Sequence, residues 1–367
     1  MRIAFIEPYF GGSHRAFAEG YAAASRHDVV LFTHPASFWK WRMQGGFLTL
    51  AAEVTESVAR DGSFDLVFAT SMLDLARFLG ATRHVIGDVP VVLYMHENQL
   101  TYPTAPRDEF DMTYAMSNWT SMAVADLVLF NSEFHSREWF AALPGLLLSL
   151  PDQRHGDFVS EVMERSAVLP VGVDLSRFDR DPRVAGERPL VLWNQRWEHD
   201  KGPDLFAAAV IETAASGAHF DLALAGEQFV SDPTGFEDVR AALGDRVVHY
   251  GYADDATYVD LLLRADIVVS TARQEFFGIA ITEAVYAGAL PLVPDSLVYP
   301  ERIPEEHHAT CLYNGADDLV AKLTWAIAHP QEAKKVAQAL HPVMAEFDWG
   351  LIAPRFDERL EHLVRSR

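Results

Sequence analysis

Short apolar runs alternate with longer mixed runs along this chain, and the alternation falls into two sets. Residues 2–6, 29–32, 66–69, 91–95, 127–130 and 167–169 are brief and rich in β-branched or aromatic side chains. Between them lie helix-like stretches such as 16–24, 71–79 and 113–125. A strand buried on both faces reads as an unbroken hydrophobic run, which marks a parallel sheet covered by helices. The pattern then restarts with strands at 190–193, 220–225, 247–250, 267–269 and 290–293, separated by helical runs at 204–215, 256–264 and 283–287. The junction is Pro170-Val171-Gly172-Val173-Asp174, followed by a polar linker-like stretch at 179–183. The expected fold class is α/β: two Rossmann-like doubly wound parallel-sheet domains, 1–170 and 171–344. Ligands of such sheets bind beyond the carboxyl ends of the strands, so the expected site is a cleft between two facing domains.

Composition narrows the function classes. The 367 residues exceed one ordinary core, and 49% hydrophobic with 22% charged residues excludes a disordered or fibrous chain. A single cysteine, Cys311, excludes an internal disulfide and a cysteine-based zinc cluster, and fits a reducing compartment. The net charge of −22 is spread over both halves: 12 basic and 20 acidic residues through Pro170, then 18 and 32. Neither half is a basic domain, which disfavours generalised clamping of a nucleic-acid backbone and leaves room for one local basic groove. The opening apolar run is too short for a signal peptide, and residues 143–150 fall short of the roughly 20 needed to span a bilayer. A cytoplasmic protein without membrane contact is expected. Oligomeric state is not legible.

Four clusters carry candidate chemistry. Gly11-Gly12-Ser13-His14 follows the first strand, where glycines allow backbone amides close to a phosphate or simply make a tight turn. It is not GxGxxG, which disfavours nicotinamide and flavin dinucleotides. Arg196 and Lys201 fall in the loop after the first strand of the second domain, where a planar fork and a mobile point charge can meet a diphosphate. Glu275-Phe276-Phe277-Gly278-Ile279-Ala280-Ile281-Thr282-Glu283 holds two carboxylates around a glycine. Eight helical positions span about 12 Å. That exceeds the roughly 5–9.5 Å of paired glycosidase acids. The two acids would instead grip two ends of one elongated ligand, with helix amides from Ile279 as an anion site. His96-Glu97-Asn98 follows the strand 91–95 and offers polar groups to a sugar. Asp179-Arg180-Asp181 reads as solvated surface, and Phe38-Trp39-Lys40-Trp41-Arg42 as a base- or sugar-stacking stretch or a buried aromatic cluster. No ligand spacing for a metal is present.

Taken in order, these residues resemble the retaining GT-B nucleotide-sugar glycosyltransferases. The match runs from Gly11-Gly12 through Pro170–Phe178, Arg196 with Lys201 and Ala225-Gly226-Glu227, to Glu275 and Glu283. The resemblance implies that Glu275, Phe277, Gly278, Ile279 and Ala280 hold the donor sugar and phosphate, that Glu283 bonds the ribose, and that Arg196 and Lys201 neutralise the diphosphate. It also implies a helix at about 345–367 returning to the first domain, and a base held near Gly226–Glu227 and Gly251–Tyr252. A narrower similarity joins Gly11–His14, His96–Leu100, Arg196–Lys201, Glu275–Gly278 and Leu297-Val298-Tyr299-Pro300-Glu301 to the tRNA-queuosine α-mannosyltransferases. That family implies mannose transfer from GDP-mannose to queuosine in the anticodon of tRNA-Asp. Catalytic roles then fall on His96, Glu275, Arg196 and Lys201, with donor contacts also from Gly11 and Gly12. A basic strip of His14, Arg15, Lys40 and Arg42, with Glu97 and Asn98, is the acceptor side. Metal-independent transfer with retention is expected, and no cofactor. A GT-B enzyme with another nucleotide sugar and a glycan or small-molecule acceptor, and a non-catalytic nucleotide-sugar or RNA-binding module, remain as alternatives.

Overall fold

The structure is a computed structural model describing residues 1–103, 110–180, 186–226 and 235–366. Glu227 and Asp181 lie outside the described residues. The chain forms two compact units, Met1–Val173 with Trp349–Arg367, and Asp174–Asp348. The divisions fall three and four residues beyond those expected at 170 and 344.

The first unit holds six parallel strands: β1 (Arg2–Phe10), β2 (Asp28–Pro35), β3 (Leu66–Thr70), β4 (Val91–Met95), β5 (Leu127–Phe130) and β6 (Ser166–Val168). Their order is β2-β1-β3-β4-β5-β6. Growth starts at β1, adds β2 on one side and the remaining strands on the other. The strand order therefore reverses between β1 and β3, the position beyond whose carboxyl ends sheets of this kind bind ligands. Leu66–Ala69 and Val92–Met95 are fully buried, as expected of strands covered on both faces. β1 runs four residues past the expected end at Ile6. A register shift between Glu7 and Phe10 lets Phe10 pair with Pro35, and the buried Glu7 carboxylate accepts the Tyr9 N–H at 2.8 Å.

The helix Trp349–Ser366 belongs to this first unit. Its Trp349 indole occupies space that only glycines leave open. A Cβ on Gly20 would lie 2.1 Å from Trp349 Nε1, and one on Gly172 would lie 2.3 Å from the same ring system. Asp357, buried in the same interface, accepts hydrogen bonds from Tyr21 Oη at 2.9 Å, Ser25 Oγ at 2.6 Å and the Arg26 N–H at 2.9 Å.

The second unit holds β7 (Leu190–Trp193), β8 (Asp221–Ala225), β9 (Val247–Gly251), β10 (Ile267–Val269), β11 (Leu290–Pro294) and β12 (Leu312–Tyr313). All pairings are parallel, in the order β12-β11-β10-β7-β8-β9. The order reverses between β7 and β10, so the loops leaving those two strands face each other. The two-residue β12 was not legible in the apolar pattern. Neither was the 23-residue helix Trp39–Asp61, which opens on mixed aromatics and cations and carries a Gly45-Gly46 pair. Among the described residues no helix is long and apolar enough to cross a membrane.

Candidate active site

Lys201 leaves β7 and Glu275 leaves β10, so the topology brings them together. Lys201 Nζ lies 3.2 Å from Glu275 Oε2, 3.3 Å from Asp200 Oδ2, and donates to the Gln274 carbonyl at 3.2 Å. Burial works against the Lys201 charge, but Glu275 and Asp200 outweigh it and raise the ammonium above its ordinary range. Burial likewise pushes Glu275 up, but Lys201 and the Phe277 and Gly278 amides outweigh it and hold the carboxyl below its ordinary value. Gly202 makes the approach of the two loops possible: its φ is +61°, and a Cβ there would sit 2.2 Å from the Thr271 carbonyl oxygen. The Thr271 hydroxyl in turn donates to the Lys201 carbonyl at 2.9 Å.

Arg196 sits in the same loop, its side chain half exposed and 3.2 Å from Glu198 Oε2. Its field opposes the charge on Lys201, so the two cations share one electrostatic neighbourhood.

The Glu275–Glu283 stretch folds differently from two acids along one helix. The helix is Ile279–Tyr286, and Glu275 precedes it. Its Oε1 turns back to accept the Gly278 N–H at 3.0 Å and the Phe277 N–H at 3.3 Å. The Gly278 amide, expected to face phosphate, is thus already donated, and the 12 Å helical spacing does not apply. Phe277 turns its ring inward. Its ring is buried against Phe347, with the Arg302 guanidinium 4.2 Å from its centroid, so it packs the core. Ile279 and Ala280 open the helix, where amides have no partner within the helix.

Glu283 belongs to a network the sequence hides. Its Oε2 accepts the Tyr258 hydroxyl at 2.7 Å; Asn194 Nδ2 donates to Tyr258 Oη at 3.2 Å and to the Ala280 carbonyl at 2.9 Å. Burial raises the Glu283 carboxyl, only partly offset by Tyr258 and Arg177. Asn194 immediately follows β7, the one positional signal that marks it. Behind this loop, Gly226 lets Trp197 approach, since a Cβ there would lie 2.0 Å from the Gln195 oxygen and 2.7 Å from the indole. Tyr252 is exposed.

In the first unit, His14 follows β1 and His96 follows β4. The two rings lie 4.4 Å apart between centroids. Glu7 Oε2 lies 3.0 Å from His14 Nδ1. His96 is wedged edge-on against Phe17 and Tyr94, and its Nε2 is buried with no hydrogen-bond partner among the described residues. Burial, together with His14 and His135, holds the His96 imidazole well below its ordinary pKa, so it is neutral. His135, pushed down to about 3 by burial, is neutral too, with Nδ1 2.9 Å from Asn131 Oδ1; Asn131 Nδ2 donates to the His96 carbonyl at 2.9 Å. Glu7, Asn131 and His135 carry no motif and were missed. Among the described residues Glu7, His14 and His96 form the one group of three or more whose potential metal-ligand atoms all lie within 4.8 Å of one another.

The expected basic strip divides. His14 is buried with Glu7 and leaves the surface set. Arg15 pairs with Glu19 at 2.9 Å, one helical turn away. Arg42 donates to the Pro35 carbonyl at 3.3 Å and to Ser37 Oγ at 3.3 Å. Lys40 is exposed beside Trp39. Asn98 is fully buried and caps its own turn, accepting the Leu100 and Thr101 amides at 3.0 and 2.9 Å. Glu97 accepts from Gln99 Nε2 at 3.0 Å. Gly11 lies against Ala36, 2.4 Å from a Cβ placed on it, and Gly12 opens the helix Gly12–Ala24. Asp179 is exposed, as expected of solvated surface, and accepts the Tyr286 hydroxyl at 2.7 Å.

Two solved structures share this fold over the whole length of both chains. Sucrose-phosphate synthase from Thermosynechococcus elongatus aligns with a TM-score of 0.76 at 18% identity. The catalytic domain of starch synthase IV from Arabidopsis thaliana, bound to ADP and acarbose, aligns with 0.76 at 14%. The Glycosyl transferases group 1 model matches residues 176–340. The two parallel six-stranded sheets are those of a GT-B glycosyltransferase. A model of the tRNA-queuosine alpha-mannosyltransferase N-terminal region matches residues 2–173. The tRNA-queuosine alpha-mannosyltransferase of Drosophila melanogaster is 34% identical over 331 residues, covering 88% of this chain and 85% of that protein. The chain belongs to the tRNA-queuosine alpha-mannosyltransferase family.

Proposed function

We propose that this enzyme transfers mannose from GDP-mannose to queuosine in the anticodon of tRNA-Asp, with retention of anomeric configuration and without a metal ion. The observation that carries the donor half is the Lys201–Glu275 contact, with Arg196 close by, at the point where strand order reverses. A departing nucleoside diphosphate gains charge as the sugar leaves. An ammonium, a guanidinium and the opening amides of the helix at Ile279 and Ala280 supply compensating charge that needs no reorganisation. Glu275, kept ionised by Lys201, is assigned to sugar hydroxyls, and Glu283 to the ribose. Neutral His96 suits a hydroxyl partner, because it can hydrogen-bond without adding a cation. The acceptor hydroxyl attacks the face the phosphate leaves, and its proton passes to the departing phosphate oxygen.

The acceptor half rests on family membership. A cytoplasmic location accords with a tRNA substrate. The test is mass spectrometry of nucleosides from queuosine-bearing tRNA after incubation with the enzyme and GDP-mannose. A queuosine species heavier by one hexose supports the reading. Unchanged queuosine, with a hexose found instead on a glycan or small molecule, overturns the acceptor.

A further inference from the structure

We propose that Phe38 and Trp41 form a stacking platform for unpaired nucleotides of an RNA loop, with Lys40 and Arg42 meeting its phosphates. The inference rests on the tRNA acceptor proposed above, and supplies a local basic contact on an acidic chain. Helical spacing divides the aromatic stretch. Trp39 and Met43, four apart, pack inward with Tyr114. Phe38 and Trp41 point outward, 80% and 64% exposed. Phe38 also holds a left-handed backbone, φ 52° and ψ 53°, while its carbonyl accepts the Trp41 and Arg42 amides. That conformation is costly for a non-glycine residue and the ring gains no burial in return. Trp41 is held in place: a Cβ on Gly45 would lie 2.9 Å from its ring, so the indole rests on the glycine with its remaining surface open.

Charge points the same way. The chain carries 52 acidic residues, yet none falls between Val29 and Ala52, where Lys40 and Arg42 stand. The segment also adjoins the expected acceptor end of the sheet, since Ala36 lies against Gly11, just before His14. Bases stack on aromatic side chains whatever their sequence, and cations between the rings track the backbone.

The test is fluorescence anisotropy of a labelled anticodon stem–loop RNA carrying queuosine. The double variant Phe38→Ala/Trp41→Ala should bind about tenfold more weakly or worse. Phe38→Tyr/Trp41→Phe, which keeps two rings, should bind near wild type. Lys40→Ala/Arg42→Ala should flatten the salt dependence by about one unit of slope for each phosphate left without its cation. Unaltered GDP binding by each variant confirms an intact fold. If wild type binds the RNA and the double alanine variant binds it as tightly, the platform is overturned while the acceptor stands. If wild type binds no such RNA, both fall.

Discussion

Lys201 and Glu275 are 74 residues apart in sequence and 3.2 Å apart in space. Each closes a loop leaving one of the two strands between which the sheet order reverses, so the contact follows from the topology. The pair settles which ionisation states the site presents. Glu275 is held ionised below its ordinary range and Lys201 charged above its own. A site built this way keeps a carboxylate and an ammonium side by side through the neutral range.

Breaking the pair should be costly and pH-dependent. Lys201→Met leaves the mostly buried Glu275 carboxylate without its cation, and should destabilise the fold by about 3 kcal/mol near neutrality. Because the folded Glu275 value is depressed, its contribution is present above the unfolded carboxylate range and is lost as pH falls through the folded value. Because the folded Lys201 value is raised, its contribution is present below the unfolded lysine value and is lost as pH rises through the folded one. Urea denaturation of wild type and Glu275→Gln across acid pH checks the first limb: the variant should lose less stability on acidification.

Gly202→Ala tests the close approach of the two loops. The substitution meets both a positive φ and a carbonyl oxygen 2.2 Å away. It should cost about 3 kcal/mol or more, read as a lowered denaturation midpoint, and should weaken GDP binding because Lys201 moves with the loop. Gly217→Ala, at φ 93° with no described atom within 4 Å, is the control: it should cost only the backbone strain, about 1 kcal/mol.

The strands were legible as continuous apolar runs, and Lys201 and Glu275 drew attention because they follow two of those runs, β7 and β10, within eight residues. The Glu283–Tyr258–Asn194 network was not, since 25 and 64 residues separate its hydrogen-bonded pairs and no spacing rule links them. The packing of Phe277 and Asn98 was not legible either: each lies inside a candidate motif, yet the Phe277 ring is buried against Phe347 and Asn98 caps its own turn. Glu7 escaped notice because a carboxylate in an apolar strand becomes meaningful only when the β1 register shift and His14 are seen together.

His96 should not titrate in the working range. Its imidazole is neutral well below the ordinary histidine value, so kcat/KM should show no inflection near pH 6.5 that disappears in His96→Asn. Loss of a single hydrogen bond to a sugar hydroxyl in His96→Ala should lower kcat/KM by roughly tenfold. Rate profiles of the three proteins between pH 5.5 and about 8.5 decide it, a window set around the ordinary histidine value.

Asp357→Ala should loosen the final helix. It removes the shared acceptor of the buried Tyr21 hydroxyl and of the partly buried Ser25 hydroxyl and Arg26 amide. A cost of about 2–4 kcal/mol is expected. Hydrogen exchange should show Trp349–Ser366 less protected while the second unit's strands keep their protection.

The most direct measurement is calorimetric titration of GDP into wild type, Arg196→Ala and Lys201→Ala. Both variants should stay folded and bind GDP about 10- to 100-fold more weakly, as expected when a charged hydrogen bond to phosphate is removed. Wild-type affinity in both variants would contradict the assignment of these two cations to the donor diphosphate.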